Sequence, residues 1–473
     1  MELLPVLEKA TEASKEELRK TVEELASRFS EPSWLVDSRW QAWELCSQMS
    51  MPVERDEGWR RTDIASLDLS ALRTSILSPT AEANEIKSSV PWVEEALSHF
   101  PAKAGVVFQG AKRSGFYYLE PSLKEKGVIF CDIATAVNKY ADKLQSHFAA
   151  ATNKQEDGKF GLLTKSLFNC GLFLYIPRGV VIKDPLVYAL DLSGSKGEVI
   201  LPRTLVIAED NSQATLVYAL GPGSDDKKDA AASLTLLSQY ADVEVKANAH
   251  LSYLELQEYA NDVFMINKFN CAVDRDGRYE SLTLALGGRQ TKSDMATSLR
   301  APGASSEVLG IVLGAGNEKY SFNTIQDHDA PDTKSDIIFR TALKDKSSSI
   351  YQGIVRVAKV AQRTDAYQSN KNLLLDGTAT ADSIPKLEIL ADDVKCAHGA
   401  TVGPVDREQI FYLMTRGISE KMAEQLIVLG FFRQTLERFP NKDALSWLSE
   451  AVTRKIQGGQ SDESANEFFE ELE

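Results

Sequence analysis

The spacing of apolar positions divides the chain into helical and β-type stretches. In EELRKTVEELASRF, Leu18, Val22, Leu25 and Phe29 recur at three- and four-residue steps with charges between them, the rhythm of a helix with one apolar side. EPSWLVDSRWQAWELC follows, with Trp34, Trp40 and Trp43, then MPVERDEGWRRTDIASLDL, with Trp59, Arg60, Arg61 and Asp63. Tryptophans clustered this way pack cores and domain contacts, or form a platform for a ligand; packing is expected. From Gly105 the runs GVVFQG and GVIFCD are short and β-like. Cys131 to Asn169 turns helical again, with Ala134, Val137, Tyr140, Leu144 and Phe148 on one side. A long β-rich tract begins at Gly171 and reaches Gly403.

One phrase recurs in that tract: a polar or glycine turn, a few small residues, then an alternating strand. It reads EDNSQATLVYAL, KANAHLSYLEL, RDGRYESLTLALGG, PGASSEVLGIVLGAG, KDKSSSIYQGIVRV and DGTATADSIPKLEIL. The interval is irregular, unlike repeats of fixed period. Many short strands without helices between them indicate an all-β body. A sandwich of more than 200 residues is large, whereas a parallel β-helix grows coil by coil without that limit. The expected fold is mainly β: a parallel β-helix flanked by N-terminal and C-terminal helical domains. The expected divisions are 1–104, helical; 105–404, the β-helix core with a helical segment near 132–169; and 405–473, helical.

After Pro404 the helical period returns. Asp406-Arg-Glu-Gln409 resembles a capping box, opening a helix with Ile410, Phe411, Leu413 and Met414 on its apolar side and Gly417 at its end. Ser419 caps SEKMAEQLIVLGFFRQTLERF, which Pro440 stops. KDALSWLSEAVTRKIQ is a third helix, before an acidic tail carrying Phe468, Phe469 and Leu472.

Composition narrows the function classes. At 473 residues the chain exceeds one compact core, since single cores stop growing near roughly 250–300 residues. A net charge of −15 argues against a general nucleic-acid binder. No run of apolar residues is long enough to cross a membrane, and no secretory leader or transit peptide is expected at the N-terminus. The five cysteines, Cys46, Cys131, Cys170, Cys271 and Cys396, are scattered without a CxxC. That suits a reducing, cytoplasmic compartment. No GxxxxGK[ST], GxSxG, HExxH or GxGxxG occurs, so ATP hydrolysis by this chain is not expected.

The candidate chemistry lies in NLLLDGTATADSIPKLEILADDVKCAHGATVG, from Asn372 to Gly403. Residues two apart on a strand share a face, roughly 7 Å apart. Val394, Cys396 and His398 therefore share one face, and Lys395 and Ala397 the other. Lysine prefers water, so the Cys/His face is expected to point inward, partly buried. A thiol and an imidazole so placed suit a metal; spacing alone favours a buried cysteine beside a hydrogen-bonded histidine, since two ligands do not complete a site. Histidines are scarce: His99, His147, His250, His328 and His398. His328 stands between Asp327 and Asp329, where carboxylates raise an imidazole pKa and orient the ring, or it belongs to a polar turn between coils. A polysaccharide-cleaving β-helix needs convergent carboxylates; here Asp274, Asp276, Asp392 and Asp393 sit in turns.

ADDVKCAHGATVG followed by EQIFYLMTRGISEKMAEQLIVLGFF resembles the C-terminal signature of the SufB/SufD family of iron–sulfur cluster assembly proteins. FLYIPRGVVIKDP, HDAPDTKSD, YQGIVRVAKVAQRTDAYQSNKNLLL and the N-terminal WLVDSRWQAWE and MPVERDEGWRRTD agree with it. The resemblance covers most of the chain and implies a right-handed parallel β-helix between helical ends. B-type members carry a cysteine at the position of Asn370 and a glutamate at that of Gly399; both are absent here. The Lys-Cys-x-His-Gly around Cys396 and His398 is D-type. The resemblance thus implies a non-catalytic scaffold that pairs with a SufB-like paralogue and a SufC-like ABC ATPase. It further implies that the nascent cluster forms at the interface of the two paralogues, with His398 as a transient, shared metal ligand and Cys396 beside it.

No cofactor bound stably by this chain alone is implied, only a transient iron–sulfur cluster in the complex. Phe411, Tyr412, Ile418 and Leu426, with Arg416 and Glu420 as polar partners, are the candidate ATPase-docking residues; packing within the domain claims some of them. An unpaired strand edge also permits a homodimer in isolation. Two other readings stand beside this one. One is a cytosolic β-helix enzyme with a Cys/His metal site, the other a purely structural partner-binding solenoid. Co-purification of an ATPase favours the first reading, and turnover by the isolated chain the second.

Overall fold

The computed structural model describes residues 12–60, 62–64, 67, 98, 103–110, 115–148, 154–193, 195–221, 234–440 and 450–456. Among these residues the strands form two ten-stranded sheets that the chain enters alternately, coil after coil. Pairing along the stack is parallel. Phe264 lies beside Gln290, and further on Ser348 lies beside Thr380. Coils therefore differ in length, which is why the sequence phrase recurs without a fixed period. The corners explain the phrase itself. Asn211, Asn248, Asp276 and Asp332 all have φ between 53° and 60°, the left-handed region that Asn and Asp tolerate best. Their amides tie each corner to the next: Asn211 N–H donates to Ala247 O, Asn248 to Arg275 O, and Asp332 to Gln362 O, each at 2.9 Å. Arg363 takes the same conformation, and its guanidinium grips the Asp332 carboxylate below through two 2.6 Å bonds.

Most strands are buried on both faces. Leu251, Tyr253, Phe269, Phe322, Phe339 and Tyr351 fill the space between the sheets. On the outside of one sheet, Leu254, Leu282, Leu309 and Ile338 pack against Val428 and Phe432 of the C-terminal helices. On the outside of the other, Leu236 and Phe264 pack under Leu162, Leu163 and Trp43. This double cover produces unbroken apolar runs such as Leu186–Asp191, where alternation is lost.

The helical segment after Cys131 resolves into Ile133–Lys139, Ala141–Phe148 and Lys154–Leu167. The tryptophans pack, as expected: Trp43 is buried, Trp34 meets Phe148 edge-on, and Trp59 lies 5.5 Å from Phe160. Beyond Trp43 the chain crosses the outside of the second sheet towards its last strand. Gln352 and Asn323 donate to the carbonyls of Glu57 and Gly58, and Lys386 pairs with Glu57 at 2.8 Å.

The two ends of the stack differ. At the amino-terminal end short antiparallel strands turn it over: Gly115–Leu119 against Gly105–Gln109, and Ile129–Asp132 against Leu172–Ile176. At the carboxy-terminal end Thr380–Ile389 and Val394–Pro404 are the last strands of their sheets. The helix Arg407–Thr415 then starts on an Asp406 cap that accepts from Glu408 N–H, and Gly417 (φ 90°) follows it. Glu420–Leu436 starts on Ser419, which accepts from Met422 N–H. Residues 450–456 are helical; the rest of the expected third helix and the acidic tail lie outside the described residues.

Candidate functional site

Cys396 and His398 lie on Val394–Pro404, whose outer edge has no partner strand among the described residues. Parallel register stacks Cys396 on Ala366, His398 on Gln368 and Ala400 on Asn370 of the preceding strand. Ala366, Gln368 and Asn370 face the interior and are buried, so Cys396 and His398 do point inward. Inward on the last coil means the open mouth of the solenoid, however. Cys396 is half-buried against the interior core, and His398 is exposed. The expected partly buried face therefore corrects to a half-buried thiol beside a solvent-facing imidazole, because no further coil covers it. Burial pushes the Cys396 thiol above its ordinary pKa and Asp365 adds to the rise, against a hydrogen bond from the Ala366 backbone. It is a thiol rather than a thiolate at neutral pH, and the thiolate is the metal-binding form. The imidazole of His398 makes no hydrogen bond to a described residue. No group of three His, Cys, Asp or Glu side chains suited to a metal exists among the described residues. The strand thus offers two donors.

The other motif histidine is structural. His328 is fully buried, with Nδ1 2.7 Å from Thr333 Oγ1 and Nε2 2.8 Å from Ser335 Oγ. Burial lowers its pKa to about 4. Of the two readings of His328, the one with flanking carboxylates raising its pKa is corrected. Asp327, its neighbour on the strand, points to the opposite face, where Arg356 lies 3.6 Å away. Cys46, Cys131, Cys170 and Cys271 are buried and unbridged.

The proposed docking residues separate into two groups. Phe411 is 68% and Tyr412 58% exposed, and Arg416 covers the Tyr412 ring while donating to its hydroxyl at 2.9 Å. Glu420 is exposed and pairs with Arg407. Ile418 packs into the helix–sheet core, and Leu426 is half-buried. Met414, on the same helix, is exposed. Sequence reasoning passed over the polar floor beneath the Cys/His strand. Gln368, Asn370 and Asn372 alternate along Thr364–Leu374, all three buried and inward. Three amides at alternate positions of an inward face were the available signal.

Comparison with known proteins places this architecture. The family description "SUF system FeS cluster assembly, SufBD core domain" matches residues 191–431, and "SufBD protein N-terminal region" matches 17–187. The chain belongs to the SufBD family of iron–sulfur cluster assembly proteins. It is 28% identical over 435 residues to the iron–sulfur cluster assembly protein SufD of Bacillus subtilis strain 168, covering 91% of this chain and 96% of that one. It is 29% identical to a SufBD family protein of Staphylococcus epidermidis ATCC 12228 and 28% to one of Staphylococcus aureus USA300. Each alignment covers 90% of both chains. The described residues contain no helix long and apolar enough to cross a membrane.

Proposed function

We propose that this SufBD chain is the D-type, non-catalytic scaffold of a cytoplasmic iron–sulfur assembly complex, pairing with a SufB-like paralogue and a SufC-like ATPase. In this reading the nascent cluster is substrate, held between the two paralogues with His398 as one ligand and Cys396 at its side. The observation that carries it is the position of His398: exposed, without a hydrogen-bond partner, on the last strand of the open end in a member of this family. Iron–sulfur clusters usually take four protein ligands. Two donors on this strand leave room for ligands from a partner and for release of the product. An open strand edge beside a partner's edge can pair as one sheet, which would bring those ligands together. The same edge would allow a homodimer when the partner is missing. Phe411 and Tyr412, exposed on Arg407–Thr415, are the residues we assign to the ATPase.

The test uses the three proteins expressed together. His398→Ala is expected to leave folding, pairing of the paralogues and ATPase stimulation intact, while cluster production is lost or strongly reduced. Cys396→Ser is expected to be milder. Wild-type cluster production by His398→Ala, or turnover of a substrate by the isolated chain, overturns the reading.

A further inference from the structure

The imidazole at the open end stands directly above an amide that is held from one side only. Gln368, in register with His398, is completely buried. Its side chain reaches across the interior. Nε2 donates to Tyr351 Oη at 3.2 Å, and Tyr351 Oη lies 2.9 Å from Thr324 Oγ1. The space for this crossing exists because residue 353 is glycine: a Cβ there would come within 1.7 Å of Nε2. With Nε2 tied down, Oε1 is left buried without a partner, and buried carbonyls seldom remain so. On the coil below, the residue in register with Gln368 is Ile337, which has nothing to donate. On the coil above it is His398.

We propose that Gln368 is a positioning residue for His398: the imidazole, which makes no hydrogen bond to a described residue in this structure, turns its N–H onto the unpartnered Gln368 Oε1, which fixes the tautomer and leaves the other ring nitrogen free for a metal. The chain Thr324–Tyr351–Gln368–His398 then runs from the interior to the mouth of the solenoid. Metal-binding histidines almost always donate their second N–H to such an oxygen, and losing that partner typically costs 10–100-fold in affinity or activity. The contribution to cluster formation rests on His398 being a ligand; the contact itself does not.

The experiment reads the contact first. In the full chain labelled with ¹⁵N-histidine, long-range ¹H–¹⁵N spectra separate the two tautomers, and His398→Ala assigns the signal. The parent protein is expected to hold one tautomer of His398. Gln368→Met, similar in length but without the acceptor, is expected to give a mixture. Gln368→Glu, which keeps an acceptor oxygen, is expected to restore the single tautomer. In the three-protein complex, cluster formation should fall about tenfold in Gln368→Met and stay within about twofold of wild type in Gln368→Glu. Tyr351→Phe loosens the same amide without altering it and should shift the tautomers partway, so a Gln368 variant that fails to fold does not end the test. An unchanged tautomer in Gln368→Met overturns the proposal. So does failure of Gln368→Glu to restore it, because the amide would then be donating. If the tautomers respond as expected while cluster formation ignores both Gln368 and His398, the contact stands and the ligand reading falls.

Discussion

Arg39 and Lys159 each close the carboxyl end of the helix that carries the other. Arg39, on Ser33–Ser47, donates to Ser166 O and Phe168 O at the end of Lys154–Leu167, at 3.0 and 2.9 Å. Lys159, on that second helix, donates to Cys46 O and Met49 O at the end of the first, both at 2.8 Å. Each cation caps carbonyls at a helix end, where the backbone donors of a further turn are missing. Arg39 also neutralises Glu31, which is buried with it. Lys159→Met should therefore cost about 2 kcal/mol through the stranded carbonyls. Arg39→Met should cost more, about 3–5 kcal/mol, because a buried carboxylate is left unpaired. Urea unfolding of the two variants checks the order; equal losses would mean that Glu31 finds another partner.

The dependence of stability on pH holds two opposed contributions. His328 has its pKa lowered by burial from 6.5 to about 4, so its contribution is complete above 6.5 and is lost as pH falls towards 4. Glu255, buried between the sheets, has its pKa raised from 4.5 to about 7 by burial, against a hydrogen bond from Gln257. Its contribution is complete below 4.5 and is lost as pH rises through 7. Between pH 5 and 6.5 the two slopes oppose each other, each worth on the order of 3 kcal/mol at most. Glu255→Gln should steepen the loss of stability on acidification, and His328→Asn should reverse its sign. Denaturant midpoints at pH 5 and pH 7 decide the matter.

The exposure of Phe411 and Tyr412 separates binding from folding. Phe411→Asp and Tyr412→Asp should change stability by no more than about 0.5 kcal/mol and weaken capture of the ATPase subunit. Ile418→Asp places a charge inside the packed helix–sheet layer and should lower the melting temperature before any binding effect can be read. Calorimetry and a pull-down on the same preparations distinguish the two behaviours. Wild-type capture by both aspartate variants at 411 and 412 would move the docking surface elsewhere.

Position 399 has room to spare. A Cβ built on Gly399 meets nothing within 4 Å, so Gly399→Glu should fold as well as the parent. The isolated parent chain is expected neither to hydrolyse ATP nor to keep a cluster after anaerobic reconstitution. Adding the two B-type residues, as Asn370→Cys with Gly399→Glu, should lengthen cluster retention. Asn370 is buried, so its cysteine would act from below the mouth. Visible absorption followed over time after desalting measures retention; a durable cluster on the parent chain would contradict the two-donor description.

The fold was legible where local chemistry repeats. An Asn, Asp or Gly at most corners announces a left-handed residue, and a run of such corners without helices announces stacked coils. Strand alternation was legible where one face of the strand is less covered, as in Gln290–Leu299 and Lys319–His328, and lost where both faces are covered, as in Leu186–Asp191, a continuous apolar run. Alternation also paired Cys396 with His398 correctly. It could not tell that theirs is the last coil, and that fact turns an inward position into an open one. Asp327 misled for the same geometric reason: its nearness to His328 in sequence places it on the other side of the strand. The fit of the Gln368 side chain over Gly353 was out of reach, because it crosses the interior between two sheets and exists only once the register is set.

The unlike ends of the stack also limit how copies can add together. The last strands at the open end are ten and eleven residues long and continue the parallel sense of the sheets. At the other end the outermost strands have five and four residues and run the opposite way. A partner that joined at the mouth would consume the only long edges among the described residues, and the joined body would present blunt termini in both directions. Edge-to-edge growth would then halt at two solenoids. In that assembly a chain built from coil upon coil, the geometry from which fibres are made, would be kept from polymerising.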